Sequence, residues 1–590
     1  MQPAIRRFLL LGSAAAIAIP AIAQVQNSAA PAPATTPAPA QPTPAAQEPA
    51  QAATNQSQSL EGGVSASDGS DIVAEPPPPP VEYPGFARRD PFSAGALDSS
   101  QLPFGTHAWG QANGAFISSL MRRMDTPIAS RWVHIGLRDA LLAKATAPGG
   151  VNPVDFAAER AWLLLRMGEA DGARMLIASV DTDRFTPKMT QVAVQSALAT
   201  SDPLALCPLT EGMRKVEPTI FPLAQAMCAG LNGEPEAAAA DVEAVRRRGP
   251  IGGIDLSLAQ KVVGATSDSG TSATIEWEPV DALTSWRYGL STATALSPPK
   301  RLMDSASPQL RAWYARAPMI AFQDRLDSAR IAAGLGVFSS QALIDFYSSI
   351  YDATDPNDLS GTDAWQLRLA YAGKDEETRL AAMRRLWSVG GSDRLQREAS
   401  RALVASAAAR IVPNKKLQSD AENLIASMLS AGLDSDAARW ANAVGQMDDE
   451  EADRCWAMLA LGSPDGSSLD VSGGRVNAFI GRDKSKDHER SAMLVAGLAA
   501  LGRIDAGTAS RLNSRYGLNI GRSSPWSQMI DAAAKRDQGG SVLVLAGTGM
   551  QTGDFSSVPS AHLFHIVMAL RNSGQEFLAR MVAAEALART

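Results

Sequence analysis

One short pattern recurs along the chain and limits its fold more than any other feature: an apolar run, a glycine, and a small residue five positions on. It occurs at Leu163-Leu164-Leu165 with Gly168 and Ala173, at Met227 with Gly233 and Ala238, and at Leu369 with Gly373 and Thr378. It returns at Leu429 with Gly432 and Ala437, at Leu498 with Gly502 and Gly507, and at Leu570 with Gly574 and Ala579. Glycine suits the position just past a helix end, because it reaches the left-handed conformation without a Cβ clash. A small residue in the first turns of the next helix lets two backbones approach closely. Carboxylates follow several of the glycines, as in Glu169 and Asp171, Glu234 and Glu236, Asp375 and Glu376, and Asp434 and Asp436. They are favoured where the first N–H groups of a helix lack partners. Arg246-Arg247-Arg248, before Gly249-Pro250, carries the opposite sign and suits a helix C-terminus. The pattern therefore predicts six antiparallel helical hairpins and an all-α fold.

The glycines fall 65, 140, 59, 70 and 72 residues apart. A spacing near 70 fits two hairpins of about 34 residues, only one of which keeps its glycine. The window Ala161 to Ala178, with Leu164, Gly168 and Ala173, resembles the tetratricopeptide-type hairpin repeat. No single window carries that family's fuller pattern of Trp, Tyr and closing Pro. The resemblance implies a right-handed helical-hairpin solenoid that binds protein on a concave surface; it implies no particular ligand residues. A solenoid also avoids the size limit of a single core, because each repeat packs only on its neighbours.

The N-terminus reads as an address. Residues 1–23 have the form of a cleavable signal peptide: Arg6-Arg7, an apolar core from Phe8 to Ile19, and Ala21-Ile22-Ala23 before Gln24. The alternative is an uncleaved anchor, for which the apolar core is short. No Cys lies near the cleavage site, which argues against a lipoprotein, and no later run reaches the roughly 20 apolar residues of a membrane helix. The expected location is the periplasm, with no integral membrane span in the mature chain. Residues 24–95 read as a disordered, acidic Pro/Ala-rich linker. Thirteen prolines fall between Pro31 and Pro84, and no Phe, Trp or Tyr occurs before Tyr83. Such a composition buries too little apolar surface to offset the entropy of ordering. Pro76 to Pro80 serves as a stiff spacer or as a polyproline II ligand.

Charge narrows the list of partners. The chain carries −7; the leader holds +2 and residues 24–87 hold −6, which leaves −3 from Arg88 onward. The folded part is nearly neutral, so a basic face for nucleic acid is not expected.

The body divides by texture into an N-terminal helical lobe, 103–250, an irregular connection, 251–299, and a C-terminal helical lobe, 300–590. Apolar residues recur at helical spacing, as in Phe116, Leu120 and Met124, and Asn152-Pro153 opens a helix that runs through Phe156 to Met167. Two stretches have strand-like composition. Ser541 to Leu545 reads as a buried helix, and Thr274 to Trp277 as part of the Gly/Ser/Thr-rich connection.

Three cysteines in an oxidising compartment invite a pairing test. Cys207 lies ten residues before Glu217, and Cys228 ten after Pro218. In a hairpin broken at Glu217-Pro218 they face one another, which predicts a structural disulfide worth roughly 3 kcal/mol; the alternative is two buried thiols. Cys455, beside Trp456, reads as a core residue.

The constellations that would carry chemistry fail on detail, and no catalytic, cofactor or metal residue is assigned. Ser297-Pro298-Pro299-Lys300 has the spacing of a serine acyl-enzyme, but two prolines break the helical turn it requires. Gly547-Thr548-Gly549 to Gly553 lacks the Lys-Ser/Thr of a phosphate loop. His562 and His565 are spaced i, i+3 rather than i, i+4 around a Glu, and read as a satisfied helix face. His488 sits in a charged segment at a loop or helix start. Asp448-Asp449-Glu450-Glu451 suits a helix N-terminus and lacks a calcium loop's spacing and glycine. The enzymatic alternative is a superhelical lytic transglycosylase, a family that uses a Glu-Ser pair; no such dipeptide occurs. The sequence reads as a non-catalytic exported scaffold that binds a protein or cell-envelope partner, the alternatives being that peptidoglycan-active enzyme and a purely structural envelope component.

Overall fold

The computed structural model describes residues 84–249, 251–266, 273–465 and 469–590. Among these residues the regular elements are helices: 28 α-helices with short 3-10 turns, no strand, and one isolated bridge between Leu97 and Ala143. The expected signal peptide, 1–23, and the expected linker up to residue 83 with its Pro76–Pro80 run lie outside the described residues. No helix of the described chain is long and apolar enough to cross a membrane.

All six glycine patterns fall between consecutive helices that pack on one another. They join Pro153–Met167 to Ala170–Ile177, Phe221–Leu231 to Pro235–Arg248, and Asp363–Ala372 to Glu376–Val389. They also join Gln418–Ser430 to Asp434–Ala438, Glu489–Ala500 to Ala506–Tyr516, and Ser560–Asn572 to Glu576–Arg589. Five of the glycines have positive φ, at Gly168, Gly233, Gly432, Gly502 and Gly574. In each the next N–H turns back to a carbonyl five residues earlier, as Glu234 does to Ala229 at 2.9 Å and Gln575 to Leu570 at 2.9 Å. Gly373 differs: its φ is −57°, and glycine there answers to space, since a Cβ would lie 2.6 Å from the Leu369 carbonyl oxygen. The small residue is buried at Ala173, Ala238, Ala437 and Ala579. It is half-buried at Thr378 and exposed at Gly507, where a longer turn makes Ala509 the inward residue.

The same helix ending also occurs without glycine. Ser201, Ala295 and Asp537 hold φ of 55°, 59° and 53°. The N–H that follows each bonds back to Ala197, Ser291 and Ala533 at 3.0, 2.9 and 3.1 Å. Ser201 lies midway between Gly168 and Gly233, and Asp537 midway between Gly502 and Gly574. Ser201 and Asp537 end helices that pack on the element that follows, and a search for glycine passes over them.

The expected irregular connection, 251–299, is corrected. It carries the helices Gly253–Gly264 and Ser285–Ala293, which pack on each other and on Phe221–Leu231 and Pro187–Ala199. Leu258, Ala259, Tyr288 and Leu290 are fully buried there, and the Gly/Ser/Thr content misled because those residues cluster in the links. Residues 273–277 are neither helix nor strand, and Ser541 to Leu545 form the buried middle of the helix Gly539–Gly549. Ordered packing also begins before residue 103. Pro91 and Ala94 are buried, and the N–H groups of Ala96 and Leu97 donate to the Leu142 carbonyl at 2.8 and 2.9 Å. Arg89 to Thr590 form one compact unit rather than two lobes about a seam.

The last helix, Glu576–Arg589, explains that unity. Every residue from Ala579 to Leu587 is buried. It packs on its hairpin partner Ser560–Asn572, on Gln418–Ser430, Asp449–Gly462 and Glu489–Ala500, and on the early helix Arg131–Leu142. Glu585 caps that early helix: its carboxylate accepts from Ser130 Oγ at 2.5 Å and from the Arg131 N–H at 2.8 Å. The absence of a side chain at Gly136 admits Leu578 and Leu543, which a Cβ would meet at 2.5 and 2.9 Å.

The disulfide is present. Cys207 and Cys228 are bonded with Cα atoms 5.5 Å apart, between a 3-10 helix, Pro203–Leu209, and the helix Phe221–Leu231. The turn between their helices falls at Glu217-Pro218, as the spacing required. Cys455 is buried, and burial pushes its thiol up to about 12.

Candidate functional site

The turn between the helices Pro308–Arg316 and Phe322–Leu335 is unusual in composition. Turns favour Gly, Asn, Asp and Ser, but this one reads Ala317-Pro318-Met319-Ile320-Ala321. Ile320 is buried in the core, whereas Met319 is 58% exposed and Phe322 37% exposed. They rim a groove of about 1050 Å³. Its walls come from that turn, from the helices Phe322–Leu335 and Ser340–Ala353, and from the ends of Ala170–Ile177 and Pro187–Ala199. The volume is at the upper end of small-ligand pockets.

Arg325 lies in this groove and is 6% exposed. Its guanidinium sits over the Phe322 ring at 4.5 Å and the Phe346 ring at 5.4 Å, and those two rings meet edge to face at 5.0 Å. One terminal nitrogen donates to the Ala315 carbonyl at 3.0 Å; Nε is buried and has no partner. Burial lowers its pKa. Contacts with aromatic faces return about 2 kcal/mol when desolvated, less than the several kcal/mol needed to bury a charge without a counter-ion.

Three other arginines are equally buried, and their bonding differs. Arg160 donates to the carbonyls of Leu141, Ala94 and Ala143 at 2.8, 2.9 and 2.7 Å. Arg131 donates to those of Ala333, Ser430 and Phe338 at 2.9, 2.6 and 3.2 Å. Arg580 pairs with Asp434 at 2.7 Å and donates to the Gly462 carbonyl at 2.6 Å. These three staple helix ends together. Arg325 makes one hydrogen bond and no ion pair among the described residues.

The other arginines of the groove are paired. Arg316 pairs with Asp171 at 3.1 Å and Arg174 with Asp202 at 2.5 Å, while Asp345 accepts from Gln341 at 2.7 Å. Burial raises the Asp171 pKa against the opposing pull of Arg316. A cavity of about 20 Å³, room for one water, shares Asp171, Thr200 and Arg316 with the groove. Tyr288 and Trp313 line it, and neither the phenol oxygen nor the indole N–H has a partner. Burial raises the Tyr288 pKa. A second hollow, of about 440 Å³ along Leu326 and Ile350, is self-contained: Arg330 donates to the Tyr347 hydroxyl at 2.7 Å and pairs with Asp363 at 2.5 Å.

The constellations weighed from sequence are scattered. Ser297 Oγ accepts from the Tyr314 hydroxyl at 3.0 Å, while Lys300 is exposed and paired with Asp304. Gly547 to Gly549 close a buried helix. His562 Nδ1 lies 3.0 Å from the Gly549 carbonyl and its ring 4.4 Å from Trp526, while His565 Nδ1 lies 3.1 Å from Asp531. His488 is an exposed helix N-cap. Asp449 and Glu450 begin a helix, as expected. Among the described residues no three His, Cys, Asp or Glu converge as a metal site. The buried glutamates each face a cation: Glu159 faces Lys188 at 2.8 Å, Glu398 faces Arg401 at 3.1 Å, and Glu585 faces Arg589. Glu169 lies 3.1 Å from His134.

Arg325, Phe322 and Phe346 were not singled out in the sequence. The signal that would have found them is the apolar turn 317–321, where a connection between helices ordinarily carries polar residues. No protein-family model, curated protein or solved structure matches the chain significantly.

Proposed function

We propose that the chain is an exported, non-catalytic scaffold of helical-hairpin repeats, arranged as a right-handed solenoid of the tetratricopeptide kind whose helix Glu576–Arg589 closes back on Arg131–Leu142, that binds a protein or cell-envelope partner. The observation that carries this reading is the groove beneath the turn 317–321: an exposed apolar rim over a buried arginine, built by helices from separate hairpins. Periplasmic residence is supported by the leader-like residues 1–23 and by the Cys207–Cys228 bond. The pairing of buried glutamates with cations supports a role without catalysis, because a neighbouring guanidinium or ammonium favours the ionised carboxylate over a general acid.

A photo-crosslinking amino acid at position 319 tests the site in cells. One discrete adduct is expected, with none from the same group at the exposed Val412. Equal yields from both positions would reject the groove. Zymography on peptidoglycan tests the rest: a clearing zone that disappears when a glutamate is replaced would overturn the non-catalytic assignment.

A further inference from the structure

Resting on that reading of the groove, we infer the chemistry of its occupant: a linear peptide bearing a carboxylate beside an aromatic or long aliphatic side chain, with the carboxylate paired to Arg325. Of the four buried arginines, Arg325 alone has neither an anion nor more than one carbonyl, and it is the one that lines the large groove. Phe322 and Phe346 pack against the guanidinium and hold it in place, and Nε remains without a partner. A planar edge of N–H donors matches a carboxylate in bidentate fashion. Asp345 lines the same groove but makes no ion pair with Arg325, and Arg316 and Arg174 already hold Asp171 and Asp202. Among the described residues, Arg325 is therefore the buried charge of the groove that lacks a counter-ion, whereas Asp345, which also has none, is exposed to water.

The surroundings separate a peptide from other anions. A lone phosphate would need several converging donors and would leave Met319 and Phe322 uncovered. A glycan would need open aromatic faces, and the guanidinium already occupies one face each of Phe322 and Phe346. An apolar side chain next to the carboxylate covers the Met319 rim, and a groove of about 1050 Å³ admits a short extended segment.

The test uses the full chain and a library of random heptapeptides displayed on phage. Enriched peptides are synthesised with their acidic residue intact or replaced by its amide. The expected result is enrichment of Asp or Glu next to an aromatic or aliphatic residue. Replacing Glu by Gln in the peptide should weaken binding at least tenfold on the wild type and less than threefold on Arg325→Met. Arg325→Lys, which keeps the charge and loses the fork, should fall between. The peptide-side change leaves the protein untouched, so the comparison survives if Arg325→Met folds poorly. Peptides that need the groove, in that Met319→Lys abolishes them, yet bind equally as acid or amide, would overturn the carboxylate while leaving the groove standing. If no enriched peptide responds to Met319→Lys, the groove itself is rejected. A muramic-acid disaccharide that binds through Arg325 where peptides do not would overturn the peptide assignment.

Discussion

Asp453 shows how single residues hold this chain together. It is buried, and it pairs with Arg475 at 2.7 Å and Arg482 at 2.6 Å. Burial alone would raise its pKa, but the hydrogen bonds from the two guanidinium groups outweigh it and hold the carboxyl below the usual range. A folded pKa below the unfolded value of about 3.9 stabilises the protein above that pH and ceases to do so as pH falls through the folded value. Asp453→Asn should therefore cost about 2 kcal/mol at pH 7, since two partly exposed arginines lose their partner. The gap between wild type and variant should begin to narrow below about pH 4, which urea titrations at pH 7 and pH 3 would measure. The acidic run around Asp453 was legible as a helix start. That its last member turns inward to two arginines some 20 and 30 positions later was not, because such pairing depends on how the following helix returns. Arg325 was hidden for the same reason: a guanidinium reads as surface until its neighbours are known.

Among the elements, the hairpin ends are the most informative. The six glycines marked real junctions between packed helices, and two of the intervals between them, 168–233 and 502–574, are divided by a helix end that holds Ser201 or Asp537 in the left-handed conformation. Local sequence does not announce a side chain held there. Ala295 is a third such residue, and Ala295→Gly should raise stability by about 0.5 kcal/mol, the relief of backbone strain exceeding the added freedom of the unfolded chain. Thermal melting would check it, and a lower midpoint would contradict the account. Close helix crossings are set elsewhere by glycines outside the pattern. At Gly334, inside Phe322–Leu335, a Cβ would lie 2.3 Å from the Leu395 carbonyl oxygen. Gly334→Ala should cost about 2 kcal/mol by forcing the helices Phe322–Leu335 and Arg394–Ala408 apart, read as a fall in urea midpoint. The helices within 251–299 were missed because Gly, Ser and Thr lie around them and interrupt the apolar pattern of Ser285–Ala293, and packing on neighbours decides such short segments.

At the scale of the whole molecule, the fold class was legible and the closure was not. Periodicity reports which face of a helix is apolar; it does not report which distant helix covers it. The contact between Arg131–Leu142 and Glu576–Arg589 joins residues more than four hundred positions apart through Ser130 and Glu585. In an array where each hairpin touches only its neighbours, removing the last helix would trim one unit and leave the rest. Here, deletion of residues 576–590 strips cover from five helices. The truncated chain should lose its sharp unfolding transition and bind a hydrophobic dye, as circular dichroism and dye fluorescence would show; a truncation that melts as cooperatively as the intact chain would refute this.

A ribosome makes the keystone of this molecule after every helix that it covers. Until Glu576–Arg589 has emerged, those helices hold apolar faces with nothing to lie against, so no fragment that stops short of it can finish its interior. Arrival of that helix, rather than of any earlier segment, is the event that commits the chain to its native form.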